Sequence, residues 1–309
     1  MKLRYKFFAL LIALFTVPKI HQGCDICGCG VGGGYLGVLP QFQKNLLGLR
    51  YLHSSFHHPA TLLNSTDGQL LKTDFYHSAD LWLRYYMTDK LQVFTFLPYK
   101  VNVRSYENGY NEWLAGVGDI QLNALHQVIN QGADPTKLLR HIWFVGGGVK
   151  LPTGKYMQRD SGRRMFPLPI QVGSGAWSFI FQNLYILRFK NFGFQTDVQY
   201  RHQLANELQY RMGNAVVASG SAFYWWQVSP HIAVLPILGG QFEYLEKDTE
   251  YGYTKENTGG KYILLTTGMD VYYQKLIFQF FGQFPVVSQL QEAQPTVGAR
   301  VGLGMAFFW

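Results

Sequence analysis

Charged residues are scarce in this chain of 309 residues. Asp, Glu, Lys and Arg make up only 15% of it, against about 25% in an average soluble domain. Basic residues outnumber acidic ones, 27 to 19, but they form no continuous run, so the net charge of +8 does not indicate nucleic-acid binding. Aromatic residues (16%) and 33 glycines are abundant instead, which favours strands and turns over solvated helices.

Long apolar runs are also missing beyond the N-terminus. No stretch of eighteen apolar residues follows residue 23, which excludes a membrane-spanning helix in the mature chain. Lys2, Arg4 and Lys6 precede an apolar run at 7–17 that is too short to cross a bilayer. This pattern predicts a signal peptide at 1–23, with a retained N-terminal anchor helix as the alternative.

Catalytic signatures are absent as well. The sequence contains no G-x-S-x-G, no H-E-x-x-H and no P-loop, the patterns of common hydrolases, metalloproteases and nucleotide-binding enzymes. His77 and Ser78 are neighbours in a predicted strand, so they point to opposite faces and cannot act as a pair. We therefore predict that the protein is not an enzyme. Four histidines flank the first long loop, where they would either bind a metal ion or face water: His53, His57, His58 and His77.

Alternation of apolar and polar positions runs through most of the chain. From Val297 to Trp309 every odd position is apolar, whereas the even positions include three glycines and Arg300. Thirteen residues exceed an ordinary strand of about five or six and suit a tilted membrane strand of about nine to eleven. Similar patterns predict twelve strands, at 45–57, 71–87, 90–104, 113–129, 140–153, 174–188, 191–203, 210–227, 230–246, 260–273, 275–288 and 296–309.

The connections between these strands alternate in length, with 130–139 as the exception. Short turns on one side and long loops on the other are typical of outer-membrane barrels. We therefore predict an all-β fold, a transmembrane antiparallel β-barrel at 45–309 with long extracellular loops and short periplasmic turns. The predicted location is the outer membrane of a Gram-negative cell. A large periplasmic β-sandwich or ligand-binding barrel is the alternative.

The polar face of the predicted strands carries Gly, Gln, Asn and scattered charges of both signs, rather than the abundant Lys and Glu of a sheet facing water. Twelve strands enclose a wider interior than the eight-stranded barrels that side chains fill. We therefore expect these side chains to shape the lumen of a channel for small solutes. The predicted lumen-facing polar residues are Asp80, Arg84, Asp119, Gln121, Asn123, Lys150, Asp197, Arg201, Asp270 and Arg300.

Three short glycine-rich motifs carry a family resemblance: GVGDIQL at 116–122, KLPTG at 150–154 and GSGAW at 173–177. With them, the region 45–309 resembles the phenol-degradation pathway (MetA-type) transporters of the outer membrane and, more distantly, the long-chain fatty-acid transporter type. The resemblance implies a channel for small, often poorly soluble compounds. The first motif also has a purely structural explanation, because glycines let strands approach and an inward Asp119 can pair with an inward Arg or Lys.

All three cysteines, Cys24, Cys27 and Cys29, follow the predicted signal in a C-x-x-C-x-C pattern. Three thiolates at this spacing can reach one soft ion, Cu(I) or Zn(II). Lipidation of Cys24, a disulfide in the oxidising periplasm and free thiols are the alternatives. By analogy with the fatty-acid transporter type, segment 24–44 plugs the lumen; otherwise it is a periplasmic linker. The rival to a channel is thus a non-transporting barrel whose cysteine segment binds copper or zinc or docks a periplasmic partner.

Several side chains predict contacts with the membrane and its assembly factors. Tyr and Trp residues near strand ends, Tyr272 and Trp309 among them, fit aromatic girdles. The terminal Trp309 also resembles the signal read by the barrel-assembly machinery. A basic group in the 154–173 loop would either contact lipopolysaccharide phosphates or stay solvated: Lys155, Arg159, Arg163 and Arg164. The predicted partners are thus outer-membrane lipid, lipopolysaccharide, the assembly machinery and a small solute.

Overall fold

The computed structural model describes residues 44–58, 72–131, 137–159, 165–256, 258–289 and 296–309. Most of these residues lie in antiparallel strands. The predicted signal peptide, the cysteine cluster and segment 24–43 lie outside the described residues, as do Arg163 and Arg164. In the part of the chain that the structure describes, no helix is long and apolar enough to span a membrane.

The strands follow the predicted alternation closely. In chain order they are β1 Leu46–His58, β2 Lys72–Tyr86, β3 Leu91–Tyr106, β4 Asn111–Val117, β5 Gln121–Asn130, β6 Leu139–Lys150, β7 Ser178–Phe189, β8 Phe192–Gln203, β9 Tyr210–Arg211, β10 Ala215–Tyr224, β11 Trp226–Ser229, β12 Ile232–Leu245, β13 Thr249–Glu250, β14 Tyr253–Thr254, β15 Gly260–Tyr273, β16 Leu276–Gln289 and β17 Thr296–Phe308. A single turn of 3₁₀ helix, η1, spans Leu168–Ile170 in the described residues.

The long strands close into a barrel. The first strand, β1, pairs with β2 on one side and with the last strand, β17, on the other, and β10 joins β8 to β12. Strands β4 and β5 both pair with β3 and occupy one position in the wall. Strands β10 and β11 likewise share one position beside β12. The described residues therefore form a closed antiparallel barrel of twelve wall positions, which confirms the predicted fold class.

Side chains alternate between the lumen and the outer wall. On β1, Leu47 and Leu49 are about half exposed (46% and 55%), whereas Arg50, the residue after Leu49, is 6% exposed. Arg50 lies directly opposite Asp80 on β2, and both point inward. Exposed apolar side chains around buried polar ones are the reverse of a soluble protein and typical of a barrel surrounded by lipid.

The two ends of the barrel differ. Four tight connections, at 87–90, 190–191, 230–231 and 274–275, lie at what we call the short-turn end, together with the start of β1 and the end of β17. Lys190 and Gln274 adopt positive φ of 53° and 52° there, as tight hairpins require. The opposite, long-loop end carries the connections 151–177, 204–214 and 246–259, and a small sheet of β9, β13 and β14.

Some predicted boundaries were wrong. The predicted strand 113–129 is interrupted at 118–120, so Asp119 lies in a break rather than in a strand. Strand β6 ends at Lys150, three residues before the prediction, because Pro152 cannot donate a hydrogen bond to a sheet. The predicted long loop at 105–112 is a hairpin of only four residues, 107–110, between β3 and β4.

Candidate functional site: the lumen of the barrel

A cluster of apolar side chains fills the lumen next to the short-turn end. We call it the inner apolar cluster; its members are Leu46, Trp82, Phe94, Phe96, Leu125, Ile142, Phe144, Leu184, Ile186, Phe223, Ala233, Leu235, Ile237, Tyr272, Ile277 and Ala306. Phe94, Leu125 and Ile186 are completely buried, although they come from three different strands. Apolar side chains of the barrel itself therefore occupy this half of the lumen.

Sequence reasoning missed this cluster because it assigned a polar inner face to every strand. The signal was present in β7, where apolar residues occupy both faces at Ile180–Phe181 and again at 184–187. Such continuous apolar runs indicate a strand buried on both sides. Tyr272, which we predicted in an aromatic girdle, belongs instead to the inner apolar cluster.

Buried ion pairs join neighbouring strands on the inner face of the barrel, in its middle and in its long-loop half. Arg104 binds Asp74 through two hydrogen bonds of 2.6 and 2.7 Å, and His58 Nε2 lies 2.8 Å from the same carboxylate. Arg50 Nη2 lies 2.7 Å from Asp80 Oδ2. These pairs are buried, so each charge is stabilised by its partner rather than by water.

A second charged group joins β17 to β12, which are separated in the wall by β16 and β15. Arg300 Nη1 lies 2.6 Å from Glu243 Oε1, and Arg300 Nη2 donates to the Tyr262 hydroxyl at 3.0 Å. Glu243 also accepts hydrogen bonds from Tyr262 and Gln241. Its side chain is fully buried.

The predicted lumen-facing residues fall into several groups rather than one site. Gln121 donates to Asn123, which donates to Gln182, which in turn binds both carboxylate oxygens of Asp197. Arg201 donates to Gln199, a neighbour of the same carboxylate, at 3.5 Å.

Two predicted residues lie apart, toward the short-turn end. Arg84 donates to the backbone carbonyl of Lys44 at 2.9 and 3.2 Å. Asp270 accepts a hydrogen bond of 3.4 Å from Gln279.

The charged residues of the lumen that were missed include Arg50, Asp74, Arg104 and Glu243. Asp74 shares the even-numbered, inward positions of Asp80 and Arg84 on β2, so the same alternation, extended toward the strand end, would have found it.

The three glycine-rich motifs meet at Asp119. One carboxylate oxygen accepts the backbone N–H of Gly154 at 3.0 Å. The other accepts the backbone N–H and the hydroxyl of Ser174 at 2.9 and 2.6 Å. Lys150 Nζ lies 3.5 Å away. Asp119, buried at the break between β4 and β5, thus fastens both ends of the 151–177 loop.

Close backbone contact explains two of the glycines in these motifs. A Cβ atom added to Gly154 would lie 2.7 Å from the Cα of Gly173 and 2.9 Å from Asp119 Oδ1. A Cβ atom added to Gly173 would likewise collide with the backbone of Gly154. No side chain fits between the two loop ends, so the Asp119 junction requires glycine at both positions.

The loop that Asp119 holds packs into the long-loop end of the barrel. The inward side chain of Asn102 donates to the carbonyls of Ile170 and Gln171, at 2.8 and 3.3 Å. Ile170 and Val172 are fully buried and pack with Leu114. The described part of this loop therefore packs against the inner faces of β3 and β4 at the long-loop end.

The described residues contain no group of three or more His, Cys, Asp or Glu that could hold a metal ion. Of the four predicted rim histidines, His58 points inward to Asp74 and His57 lies 3.2 Å from the Thr73 hydroxyl. His53 and His77 lie on the outer wall. Ser78, by contrast, donates inward to Asp80, so it does not meet His77.

No protein-family model and no curated protein matches this chain. Among solved structures, the COG4313 outer membrane channel from Pseudomonas putida F1 is similar over 88% of this chain and 100% of its own, with a TM-score of 0.64 and 14% identity. The β domain of the Bordetella autotransporter BrkA covers 85% of this chain and 99% of its own, at a TM-score of 0.48 and 8% identity. The NanC porin covers 84% and 98%, at 0.43 and 7%. The first similarity shows that this chain has the fold of an outer-membrane β-barrel.

Proposed function

We propose that the protein is a gated outer-membrane channel for small solutes with apolar bodies. The observation that carries this proposal is the inner apolar cluster. A water-filled porin has a polar interior, whereas a solute that crosses this lumen must pass Phe94, Leu125, Phe144 and their neighbours. An apolar solute loses little on leaving water for such surroundings, whereas a sugar would lose its hydrogen bonds.

Two closures lie in series along the proposed path. A solute that enters from the long-loop end first meets the 151–177 loop, which Asp119 and Asn102 hold in place. It then passes the ion pairs and reaches the inner apolar cluster. Because both closures consist of side chains and one loop, local rearrangement opens the path without breaking the barrel wall.

The orientation follows from the outer-membrane barrel plan. We propose that the short-turn end faces the periplasm and the long-loop end faces the cell exterior. Export by the 1–23 signal peptide, recognition of Trp309 by the barrel-assembly machinery and contact of the loops with lipopolysaccharide belong to the same proposal. A Cu(I) or Zn(II) site at the cysteine cluster is a separate proposal, because those residues lie outside the described part of the chain.

The resemblance to the phenol-degradation (MetA-type) and fatty-acid transporter types supports the same class of solute. Its three motifs are those that converge on Asp119, so the resemblance falls on the loop junction rather than on scattered glycines. We propose a transport role without catalysis.

Dye entry into intact Gram-negative cells tests this function, because lipopolysaccharide keeps apolar dyes out. Cells that produce the protein should take up N-phenylnaphthylamine several-fold faster than matched cells without it, while the entry of a sugar-sized polar solute stays unchanged. Asp119→Asn should increase dye entry further. Equal dye entry in all three strains, at equal barrel abundance, would contradict the proposal.

A further inference from the structure

Two histidines face each other on the outer wall. His53 on β1 and His77 on β2 are directly opposite in the strand register. Their Nδ1 atoms are 3.4 Å apart, and their ring centres are 4.7 Å apart. The two Nδ1 atoms are therefore closer to each other than the ring centres are, in rings tilted by 43°.

This separation matches a shared metal ion. Bonds of about 2.0–2.1 Å from a tetrahedral ion place two ligand nitrogens about 3.4 Å apart. The Tyr51 hydroxyl is hydrogen-bonded to His77 Nδ1 at 2.6 Å; an ion bound at this nitrogen replaces that hydrogen bond and leaves the Tyr51 oxygen beside the site. Phe75 stacks on the His53 ring with centres 6.0 Å apart and planes at 21°, which restricts the orientation of that imidazole.

The position on the wall leaves the site accessible. Along β1 the outward side chains are Leu47, Leu49 and Tyr51, followed by His53 toward the long-loop end. The histidine pair thus follows the apolar outward side chains of this strand on the long-loop side, and an ion bound there would take its remaining ligands from water or lipid headgroups. Hydrogen bonding between β1 and β2 fixes the two backbones, so little ordering is needed to bind an ion.

We propose that His53 and His77 form a two-imidazole site for a divalent transition-metal ion, Zn(II) or Cu(II), that joins β1 to β2 on the outer wall. Imidazole suits these ions better than Mg²⁺ or Ca²⁺, which prefer oxygen. The site is independent of the proposed transport function and of the cysteine cluster.

A matched pair elsewhere on the wall provides the control. The His141 Nδ1 atom lies 2.6 Å from the Tyr185 hydroxyl, the same contact that Tyr51 makes with His77. In the strand register, however, His141 faces Leu187 rather than a second histidine. His141→Asn therefore removes an equivalent histidine without touching the proposed site.

Zinc titration of the full-length protein in detergent tests the proposal. Cys24, Cys27 and Cys29 are replaced by Ser in every variant, because thiolates would bind the same ion. We expect one Zn(II) per chain, an affinity at least tenfold weaker in His53→Asn and in His77→Asn, and an unchanged affinity in His141→Asn; even outer-shell changes cost about 10–100-fold. No binding by the cysteine-free protein, or equal affinity in all variants, would overturn the site.

Electron paramagnetic resonance of bound Cu(II) gives a second readout that does not depend on the variants folding. The cysteine-free parent should show hyperfine coupling to two imidazole nitrogens. Coupling to none or one would overturn the proposal, whatever the variants do.

Discussion

Replacement of Asp119 by Asn should release the 151–177 loop. The Asp119 carboxylate accepts three hydrogen bonds, from Gly154 N, Ser174 N and Ser174 Oγ, at 3.0, 2.9 and 2.6 Å. If the Asn oxygen keeps the two donors of Ser174, its NH₂ group faces the N–H of Gly154, and that donor loses its acceptor. Asn thus preserves the size of the side chain but places a donor where the Gly154 N–H needs an acceptor.

The magnitude follows from these contacts. A buried donor without a partner costs about 1–3 kcal/mol, and each remaining bond loses about 1 kcal/mol when the acceptor is no longer charged. The closed loop should therefore lose about 3–5 kcal/mol, before any effect on Lys150. Since 1.4 kcal/mol is a factor of ten, the open population should rise by about 100-fold or more.

Limited proteolysis measures this opening. The Lys155 and Arg159 side chains are exposed, but the backbone around them is held by bonds from Gly173 N to Lys155 O and from Phe166 N to Gln158 O, each of 3.0 Å. When cleavage is slower than reclosing, its rate follows the open population. Trypsin should therefore cut Asp119→Asn after Lys155 or Arg159 at least 100-fold faster than wild type.

Asp197→Asn is the matched control for this experiment. Asp197 is also a buried, inward aspartate, but it binds Gln182 and Gln199 rather than the loop. Its replacement should leave cleavage at 155–159 unchanged. The reasoning would be refuted if Asp119→Asn were cut as slowly as wild type, or if both variants were cut equally fast.

Three further predictions concern other parts of the barrel. Glu243→Gln leaves the buried guanidinium of Arg300 without its carboxylate and should lower the free energy of unfolding in detergent by about 3–5 kcal/mol; a loss below about 1 kcal/mol would show that the pair contributes little. Burial raises the pKa of Asp248, in the 246–259 loop, against the opposing hydrogen bonds from Tyr210 and Gly213. Because the unfolded chain then releases its proton at lower pH than the folded one, stability should fall as pH rises from the ordinary Asp pKa to the raised value. Asp248→Asn should abolish that slope in urea unfolding, and an unchanged slope would contradict the assignment. Trp309 lies on the outer wall, half exposed and stacked on Phe307, so Trp309→Asp should reduce the amount of assembled barrel in cells more than it changes dye entry per assembled molecule; normal assembly would remove its role as a signal.

The architecture was predictable because alternation is a local property of each strand. The pattern of Val297–Trp309 is visible in thirteen consecutive residues, and β17 spans nearly the same range. The same period placed Asp80 and Asp197 on one face, and both are buried in the structure. Strand ends were less predictable, because they depend on contacts such as those that draw Asp119 out of the sheet.

The organisation of the lumen was not predictable, because it depends on contacts between distant residues. Asp119 binds residues 35 and 55 positions away, and Glu243 binds Arg300, 57 positions away. The motifs at Gly118, Gly154 and Gly173 were recognisable separately, but their convergence requires the barrel to close. Alternation also does not reveal that Phe94 and Phe223, which are far apart in the sequence, belong to the same apolar cluster in the lumen.

Conductance across a planar lipid bilayer tests the central claim, that the barrel is a channel closed by its own side chains. Wild-type protein should show little steady ion current, because the inner apolar cluster excludes water. Phe94→Ala should open a steady current, whereas Phe194→Ala, a phenylalanine on the outer wall that is 45% exposed, should behave like wild type. A large steady current in the wild type, or none in Phe94→Ala even when combined with Asp119→Asn, would contradict the account.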